Sequence, residues 1–276
     1  MFRTILSFAS LTVVAAPAFA QVSVPAATAP ATAPAAPALC TDRPTKSNFA
    51  CTVPQGMVQL ETDLGNWTRT DAGDTRVDTI LYTNPTLKYG LTGSTDIEAS
   101  IAPYATVRTR TAEGTQTLRG VGDLTLRLKQ RLTDPAGQVQ IALLPFVKIP
   151  TARTGIGNGQ TEGGVAVPIN IALPRGFTLT FGPEGDVLAD SDGHGHHAQL
   201  VGTANLGKAV TSKFTLIGEF WVARNFDPAA YVTQASADVA ASYLLRSTLQ
   251  LDLGANFGLN QATPDAQVYL GVSTRF

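Results

Sequence analysis

The segment from Ser247 to Asn260 alternates apolar and polar residues without interruption. Its apolar positions are Leu249, Leu251, Leu253, Ala255, Phe257 and Leu259. Its intervening positions are Gln250, Asp252, Gly254, Asn256 and Gly258. A strict period of two predicts a β-strand with one apolar and one polar face. The alternation lasts about twice as long as an average strand of a soluble domain, and it matches the ~9–11 residues that a tilted strand needs to cross a bilayer.

Twelve alternating segments of this kind follow one another after residue 55, and none shows a helical pattern. Turn signals separate them, and short connections such as Asp134–Gly137 alternate with longer ones such as Thr151–Gly163. Short periplasmic turns and longer extracellular loops are typical of outer-membrane barrels. The sequence therefore predicts an all-β fold, a transmembrane antiparallel up-and-down β-barrel of about 12 strands.

Charged residues are confined to one face of these strands. On the nine clearest strands the apolar face has no Asp, Glu, Lys or Arg. The opposite faces carry the candidates for lining the lumen, which are Glu98, Asp123, Arg127, Lys129, Arg131, Lys148, Glu184, Asp186, Glu219, Asp238, Asp252 and Arg275. A charge that faces lipid at mid-bilayer costs about 2–4 kcal/mol, so lipid contact would demand this segregation.

A soluble barrel with an apolar core would give the same pattern. Strand length and the alternation of loop lengths favour the membrane. So does the terminal Phe276, which ends an alternating strand and looks like the signal by which outer-membrane barrels are recognised for assembly. We therefore expect the uncharged faces to contact lipid and the charged faces to point inward.

The inward charges leave two interpretations open, because they can line a pore or form ion pairs across a closed interior. Twelve tilted strands imply a backbone diameter of roughly 24 Å, which side chains reduce to a narrow passage. No loop is long enough to be an obvious plug, and Thr151–Gly164 is the segment that would narrow the passage by folding inward. Five prolines fit poorly, because proline removes a ladder hydrogen bond and these five fall inside predicted strands: Pro85, Pro103, Pro145, Pro168 and Pro183.

The first fifty residues are predicted to lie outside the barrel. Residues 1–20 read as a secretory signal peptide, residues 21–50 as an Ala/Pro-rich periplasmic leader, and residues 51–276 as the outer-membrane barrel. Cys40 and Cys51 are expected to form a disulfide, with two free thiols as the alternative. Leu39 before Cys40 disfavours lipidation. The net charge of −1 argues against nucleic acid as a partner.

All three histidines, His194, His196 and His197, lie in one Gly-rich segment with two aspartates nearby. They are weak candidates for a divalent metal, and a solvated loop is the competing interpretation. A serine hydrolase needs a histidine fixed beside its nucleophile, and this clustering disfavours one. We therefore expect no catalytic residues and no cofactor.

Several short motifs in order resemble one family. They are Asp42-Arg43-Pro44, "TVPQG" from Thr52 to Gly56, "NPTLKYGLT" from Asn84 to Thr92, "GVGDLTLRLK" from Gly120 to Lys129, Glu219 and the aromatic end. Together they resemble the outer-membrane transporters named for the meta-pathway of phenol degradation.

The resemblance implies an outer-membrane β-barrel of a Gram-negative bacterium, for passive uptake or efflux of small molecules, with hydrophobic or aromatic solutes suggested. The implied partners are outer-membrane lipid and lipopolysaccharide, the barrel-assembly machinery and a small-molecule solute. The alternatives are a non-conducting structural or binding barrel, and a secreted soluble β protein.

Overall fold

The computed structural model describes residues 39–276, in which seventeen β-strands form a single sheet. One short 3-10 turn, Pro174–Gly176, connects two of the strands. The strands of the first half are β1 (Val58–Ala72), β2 (Thr75–Thr83), β3 (Thr86–Gly90), β4 (Thr95–Ser100), β5 (Tyr104–Thr111), β6 (Gly114–Gly120), β7 (Leu124–Arg131) and β8 (Val139–Ile149). Those of the second half are β9 (Glu162–Ala166), β10 (Ile169–Leu173), β11 (Phe177–Phe181), β12 (Glu184–Ala189), β13 (His196–Ala209), β14 (Phe214–Asn225), β15 (Val232–Arg246), β16 (Leu249–Gly258) and β17 (Ala266–Arg275). The predicted signal peptide lies outside the described residues.

The seventeen strands cross the barrel wall twelve times, and we call each crossing a stave. Five staves are interrupted and consist of two strands each: β2–β3, β4–β5, β6–β7, β9–β10 and β11–β12. All ladders are antiparallel, and β1 pairs with β17 from Gln59↔Arg275 to Arg69↔Ala266, which closes the sheet. The prediction of an antiparallel all-β barrel of twelve strands is confirmed.

The interruptions explain most of the prolines that fit poorly. Pro85, Pro103, Pro168 and Pro183 each lie in the gap between the two halves of an interrupted stave. Pro145 stays inside β8, and the two β7 residues nearest to it drop out of the ladder. Because proline has no N–H to donate, the ladder is broken where the ring sits.

The gaps also line up across neighbouring staves. The Ile101 N–H bonds to the carbonyl of Pro85, and the Gly122 N–H bonds to the carbonyl of Ala102. On the other side of the barrel, the Val167 N–H bonds to the carbonyl of Pro183. These bonds keep the backbone groups at the kinks paired.

One of the kinks changes which residues face outward. Strict alternation would put Ala105 and Val107 on the same face as Ile97, but the chain between Ser100 and Tyr104 shifts the alternation. Ile97 is exposed on the outside, whereas Ala105 is 1 % exposed and faces the interior. The expectation of one continuous apolar face through this stave is therefore wrong beyond the kink.

Loop lengths differ between the two ends of the barrel. The end at which β1 begins and β17 ends has connections at residues 91–94, 132–138, 174–176, 210–213 and 247–248. The opposite end has the longest loop, 150–161, and the loops 190–195, 226–231 and 259–265, which are similar in length to 132–138. Its turns at 73–74 and 112–113 have only two residues, because those strands extend further than the sequence predicted. We call the two ends the short-turn end and the loop end. By the usual asymmetry the loop end is extracellular.

Burial in the barrel wall is inverted relative to a soluble protein. Leu251 and Leu253 are exposed outward at 38 % and 57 %, whereas Asp252 between them is 2 % exposed. An exterior of exposed leucine, valine and phenylalanine suits contact with acyl chains, and a charged interior does not suit a hydrophobic core. The uncharged faces thus form the outside of the barrel.

No helix among residues 39–276 is long and apolar enough to span a bilayer.

Candidate functional site: a plugged lumen

Residues 39–53, which we call the plug, lie inside the barrel at its short-turn end. Asp42, Ala50 and Val53 have no exposed surface, and Arg43 has 3 %. The sequence analysis placed residues 39–50 in a periplasmic leader, and the structure corrects that placement. The described end of the leader and the residues that follow it turn inward before β1 begins, and polar side chains of the wall bind them.

Arg43 fixes one side of the plug. Its Nη1 lies 2.6 Å from Oδ1 of Asp63, and its Nη2 lies 2.8 Å from Oδ1 of Asp252. Burial opposes the charge, but these two carboxylates raise the pKa of the Arg43 guanidinium above its ordinary value. A Cβ at Gly271 would overlap this guanidinium, so the wall needs glycine there.

Asp42 fixes the opposite side. It pairs with Lys88 and, at 2.6 Å, with Lys129. Burial alone would raise the pKa of the Asp42 carboxyl, yet the two ammonium groups hold it well below its ordinary value. Glu61 and Glu98 complete the cluster, with 2.7 Å from Lys88 to Glu61 and 3.2 Å from Lys129 to Glu98.

Lys46 and Ser47 fix the middle of the plug. The Lys46 ammonium lies 2.7 Å from Asp238, and the N–H groups of Lys46 and Ser47 donate to the two oxygens of Glu219 at 2.7 and 2.9 Å. Burial lowers the pKa of Lys46, and Asp238 offsets this only in part. Two backbone N–H groups and the Lys46 ammonium of the plug therefore bind the carboxylates of Glu219 and Asp238.

Two further backbone groups and a disulfide complete the attachment. The Ala50 N–H donates to Asn170 at 2.7 Å, and the Val53 N–H donates to Asp96 at 2.7 Å. Cys40 and Cys51 are joined in a disulfide, which ties the two ends of the plug together. The buried N–H groups of Ala50 and Val53 are thereby paired without a strand ladder.

Above the plug, the loop half of the barrel encloses a cavity of about 310 Å³. Arg43, Lys46 and Asn48 of the plug form its floor. Its apolar lining comes from Leu81, Leu144, Phe146, Leu188, Val201 and Trp221. Its polar lining includes Asn66, Thr68, Thr79, Thr203, Asn256 and Gln267. Pockets of about 300–1,000 Å³ with apolar walls and a few polar groups are typical of small-molecule sites.

The structure sorts the twelve charged residues predicted from the sequence into groups. The four that line the cavity are Arg127, Lys148, Glu184 and Asp186. Those that contact the plug, or pair with a residue that does, are Glu98, Lys129, Arg131, Glu219, Asp238 and Asp252. Asp123 lies 3.5 Å from Lys148, and Arg275 is buried at the short-turn end.

The charges around the cavity are paired unevenly. Lys148 lies 2.6 Å from Glu162, and Arg127 lies 3.8 Å from Glu98. Asp186 accepts a hydrogen bond from Gln199 at 3.0 Å through Oδ2, whereas its buried Oδ1 has no partner among residues 39–276. This oxygen is packed against Gly164, where a Cβ would overlap it.

The loop 150–161 turns inward, as the sequence suggested for Thr151–Gly164. Ile156 is 5 % exposed, and Asn158 accepts from Lys148 at 2.7 Å and donates to Glu162 at 2.7 Å. It narrows the loop half of the barrel beside the Lys148 side chain.

The three histidines do not form a ligand set. His197 lies 2.8 Å from Asp190, His196 lies 3.3 Å from the carbonyl of Thr161, and the backbone N–H of His194 donates to Asp192. In the described part of the chain, no three His, Cys, Asp or Glu side chains converge as a metal site would require. The structure adds no support to the predicted metal site.

Sequence reasoning missed the residues that hold the plug, above all Asp42, Arg43 and Lys46. The wall residues Asp63 and Lys88, which pair with Arg43 and Asp42, were also missed, as was Asp96, which accepts from the backbone N–H of the plug. The available signal was compositional, because charged residues and both cysteines return at residues 40–51 after a leader that lacks them.

The family model described as "Putative MetA-pathway of phenol degradation" matches residues 41–276. That span covers most of the plug and the whole barrel. The chain belongs to this family.

Solved structures with the same fold are outer-membrane barrels. The COG4313 outer membrane channel from Pseudomonas putida F1 aligns with a TM-score of 0.66 and 14% identity, over 82% of this chain and 98% of that one. The CymD monoaromatic hydrocarbon channel aligns with a TM-score of 0.47 and 10% identity, over 81% of this chain and 88% of that one. The likeness to the COG4313 channel shows that this member of the phenol-degradation family has an outer-membrane barrel fold. No curated protein sequence matches the chain.

Proposed function

We propose that this protein is an outer-membrane channel for small, weakly polar molecules, in which the plug is the barrier. The observation that supports it best is the cavity of about 310 Å³ above the plug, enclosed by the wall and floored by Arg43, Lys46 and Asn48. A solute that enters from the loop end reaches this cavity first. Passage to the short-turn end then requires movement of the plug.

The lining supports small aromatic molecules that carry a polar group as the solute class. Phe146 and Trp221 offer aromatic faces, and threonine, asparagine and glutamine side chains offer hydrogen bonds. The carboxylate of Asp186 lines the cavity and can accept a hydrogen bond from a hydroxyl group. The family's association with phenol degradation and the monoaromatic hydrocarbons named for one neighbour agree with this class.

Conductance in planar bilayers across a salt gradient tests the channel. We expect discrete steps, and opposite shifts of the reversal potential for Arg127→Gln and Asp186→Asn, because these side chains carry opposite charges beside the same cavity. Bilayers that stay sealed over many insertions of both the native chain and an Arg43→Ala variant would contradict a channel. So would shifts of the same sign.

Solute passage needs a separate assay. Liposomes that contain the protein should take up phenol or benzyl alcohol faster than protein-free liposomes, and the gain should be larger than for a charged benzoate of similar size. An equal gain for all three solutes would contradict the proposed solute class while leaving the channel itself intact.

A closed binding barrel is the second candidate, and the buried ion pairs that hold the plug favour it. In that case a solute would quench the fluorescence of Trp221, which faces the cavity, without crossing the membrane. A Trp67→Phe background removes the other tryptophan of the chain. Quenching together with absent uptake would select the binding barrel over the channel.

We further propose that the chain has no catalytic role and that the barrel-assembly machinery inserts it. The Phe276 ring is 74 % exposed at the short-turn end, where its backbone N–H donates to the carbonyl of Val58 at 2.8 Å. An exposed aromatic residue at the end of the closing strand suits recognition during assembly. Phe276→Ser should lower the amount of heat-modifiable, folded protein in the outer membrane, and an unchanged amount would contradict this role.

A further inference from the structure

The outside of the barrel carries an unusual group of arginines near its loop end. We call this group the outer arginine patch, and it consists of Arg69 on β1, Arg76 on β2, Arg108 and Arg110 on β5, and Arg119 on β6. These five residues lie on neighbouring strands of one continuous piece of wall.

The ladder registers show that the patch faces away from the lumen. Asn66 and Thr68 line the cavity, so Arg69 on the alternate positions of β1 points outward. Arg69 is paired with Asp78, Asp78 with Arg108, and Arg108 with Thr117, and paired residues share a face. The patch is therefore part of the outer surface, although lipid-facing surfaces of barrels normally exclude charge.

Carboxylates neutralise only part of the patch. Asp78 binds Arg69 at 3.1 Å and also Arg110, and Asp71 binds Arg76 at 2.6 Å. Five arginines against these two aspartates leave three positive charges in excess. The side chains of Arg108 and Arg119 have no carboxylate partner within the described residues. Asp74 and Glu113 lie in the turns at the loop end of these strands.

Aromatic residues mark the level of the patch in the membrane. The rings of Tyr82 and Tyr104 lie 5.2 Å apart on the outer wall, and Trp67 lies one outward position below Arg69. Girdles of Trp and Tyr are typical of the membrane interface of barrels. By the ladder registers Arg119 is level with Trp67, and Arg69 lies about 7 Å nearer the loop end. The arginines therefore extend from the aromatic girdle to the lipid headgroups.

The opposite wall has no equivalent group. Among the described residues, Arg224 is the one arginine on the outward faces of β13 to β17 near the loop end. Its guanidinium lies over the rings of Phe226 and Tyr231. The patch is thus a local feature of β1, β2, β5 and β6, and the barrel has a preferred side for an anionic ligand.

We propose that the outer arginine patch binds the phosphate groups of the phosphorylated glycolipid in the outer leaflet. Guanidinium groups bind phosphate through paired charge-assisted hydrogen bonds, and the threonine hydroxyls between them add neutral donors. The patch reaches headgroup level on the extracellular side, where phosphorylated sugars of this leaflet are the abundant anions. Arg108 and Arg119 are the side chains free to make these contacts. The proposal does not depend on whether the barrel conducts.

Binding of diphosphoryl lipid A to the full chain in detergent, followed by native mass spectrometry, tests the proposal. We compare the native protein with Arg108→Ala/Arg119→Ala, and use Arg224→Ala as the matched control on the opposite wall. Each charge-assisted hydrogen bond contributes roughly tenfold, so the double variant should bind about a hundredfold more weakly while the control stays unchanged. Lipid A stripped of both phosphates should bind the native protein as weakly as diphosphoryl lipid A binds the double variant.

Equal binding by the native chain and the double variant would overturn the proposal, and so would equal binding of the two lipids. A loss of the same size in Arg224→Ala would show a general surface effect and would also overturn it. Neither Arg108 nor Arg119 has a carboxylate partner in the described chain, so we expect the double variant to fold, as heat-dependent gel mobility will show. If it does not, Arg119→Ala alone gives the same comparison with about a tenfold expected loss.

Discussion

The two halves of the lumen treat buried charge in opposite ways. At the short-turn end, plug groups bind Asp63, Lys129 and Asp238 of the wall, so charges of wall and plug neutralise one another. In the loop half, Glu184 and Asp186 line a cavity of about 310 Å³ that no segment of the described chain fills. The plug closes the short-turn half, whereas the loop half contains a cavity.

This difference has an energetic consequence. Breaking a buried ion pair by removing one partner costs about 3–5 kcal/mol, because the other charge stays buried and unpaired. The plug therefore stays in place unless several of its contacts change together.

The largest effect should come from Arg43→Ala. The variant leaves Asp63 and Asp252 buried without their guanidinium partner. A loss of about 3–5 kcal/mol in plug attachment would raise the open population roughly a hundredfold or more. Planar-bilayer recordings should show longer and larger openings than the native chain.

Arg224→Ala is the control for that experiment, since it removes an arginine of the outer wall far from the plug. Heat-dependent gel mobility should show that both variants are folded barrels. If the Arg43→Ala barrel conducts no more than the control, the plug does not limit passage.

A smaller effect is expected from Cys40→Ser/Cys51→Ser. The disulfide closes a short loop, with a sequence separation of 11, so its contribution should be near 2 kcal/mol, the low end of the usual range. Openings should rise about thirtyfold, less than for Arg43→Ala. Equal or larger openings than in Arg43→Ala would show that the covalent tie, and not the ion pairs, holds the plug.

The smallest effect is expected from a substitution in the cavity of the loop half. Phe146→Ala removes an aromatic face from the cavity, whereas Val147→Ala changes the neighbouring side chain, which is 38 % exposed on the outside. We expect uptake of phenol to fall about threefold in the first variant, since one aromatic contact contributes about 0.5–1.5 kcal/mol. Uptake should not change in the second. A fall of the same size in Val147→Ala would contradict a cavity that recognises aromatic solutes.

Much of the barrel could be predicted from the sequence, because lipid excludes charge from the outward faces of most strands. Leu251 and Asp252 alternate between outside and inside as their period predicts. The rule fails at the kinks. Around Pro103 the backbone leaves the ladder, and no single-sequence pattern tells how many residues the kink contains before alternation resumes.

The plug could not be predicted in the same way. Residues 39–53 have no periodicity, and their partners lie far along the chain, as in the 209 positions between Arg43 and Asp252. One sequence shows that both sets of charges exist, but not which charge meets which. The orientation of the twelve charged candidates was accessible, whereas the segment that neutralises several of them was not.

Hydrogen exchange of the plug amides in the intact, detergent-solubilised protein tests the filled half most directly. The N–H groups of Ser47, Ala50 and Val53 donate to wall residues Glu219, Asn170 and Asp96 and have no access to water. We expect these amides to exchange as slowly as those in the middle of β14 and β16. Exchange within seconds, at the rate of an unstructured peptide, would mean that the segment is not folded inside the barrel.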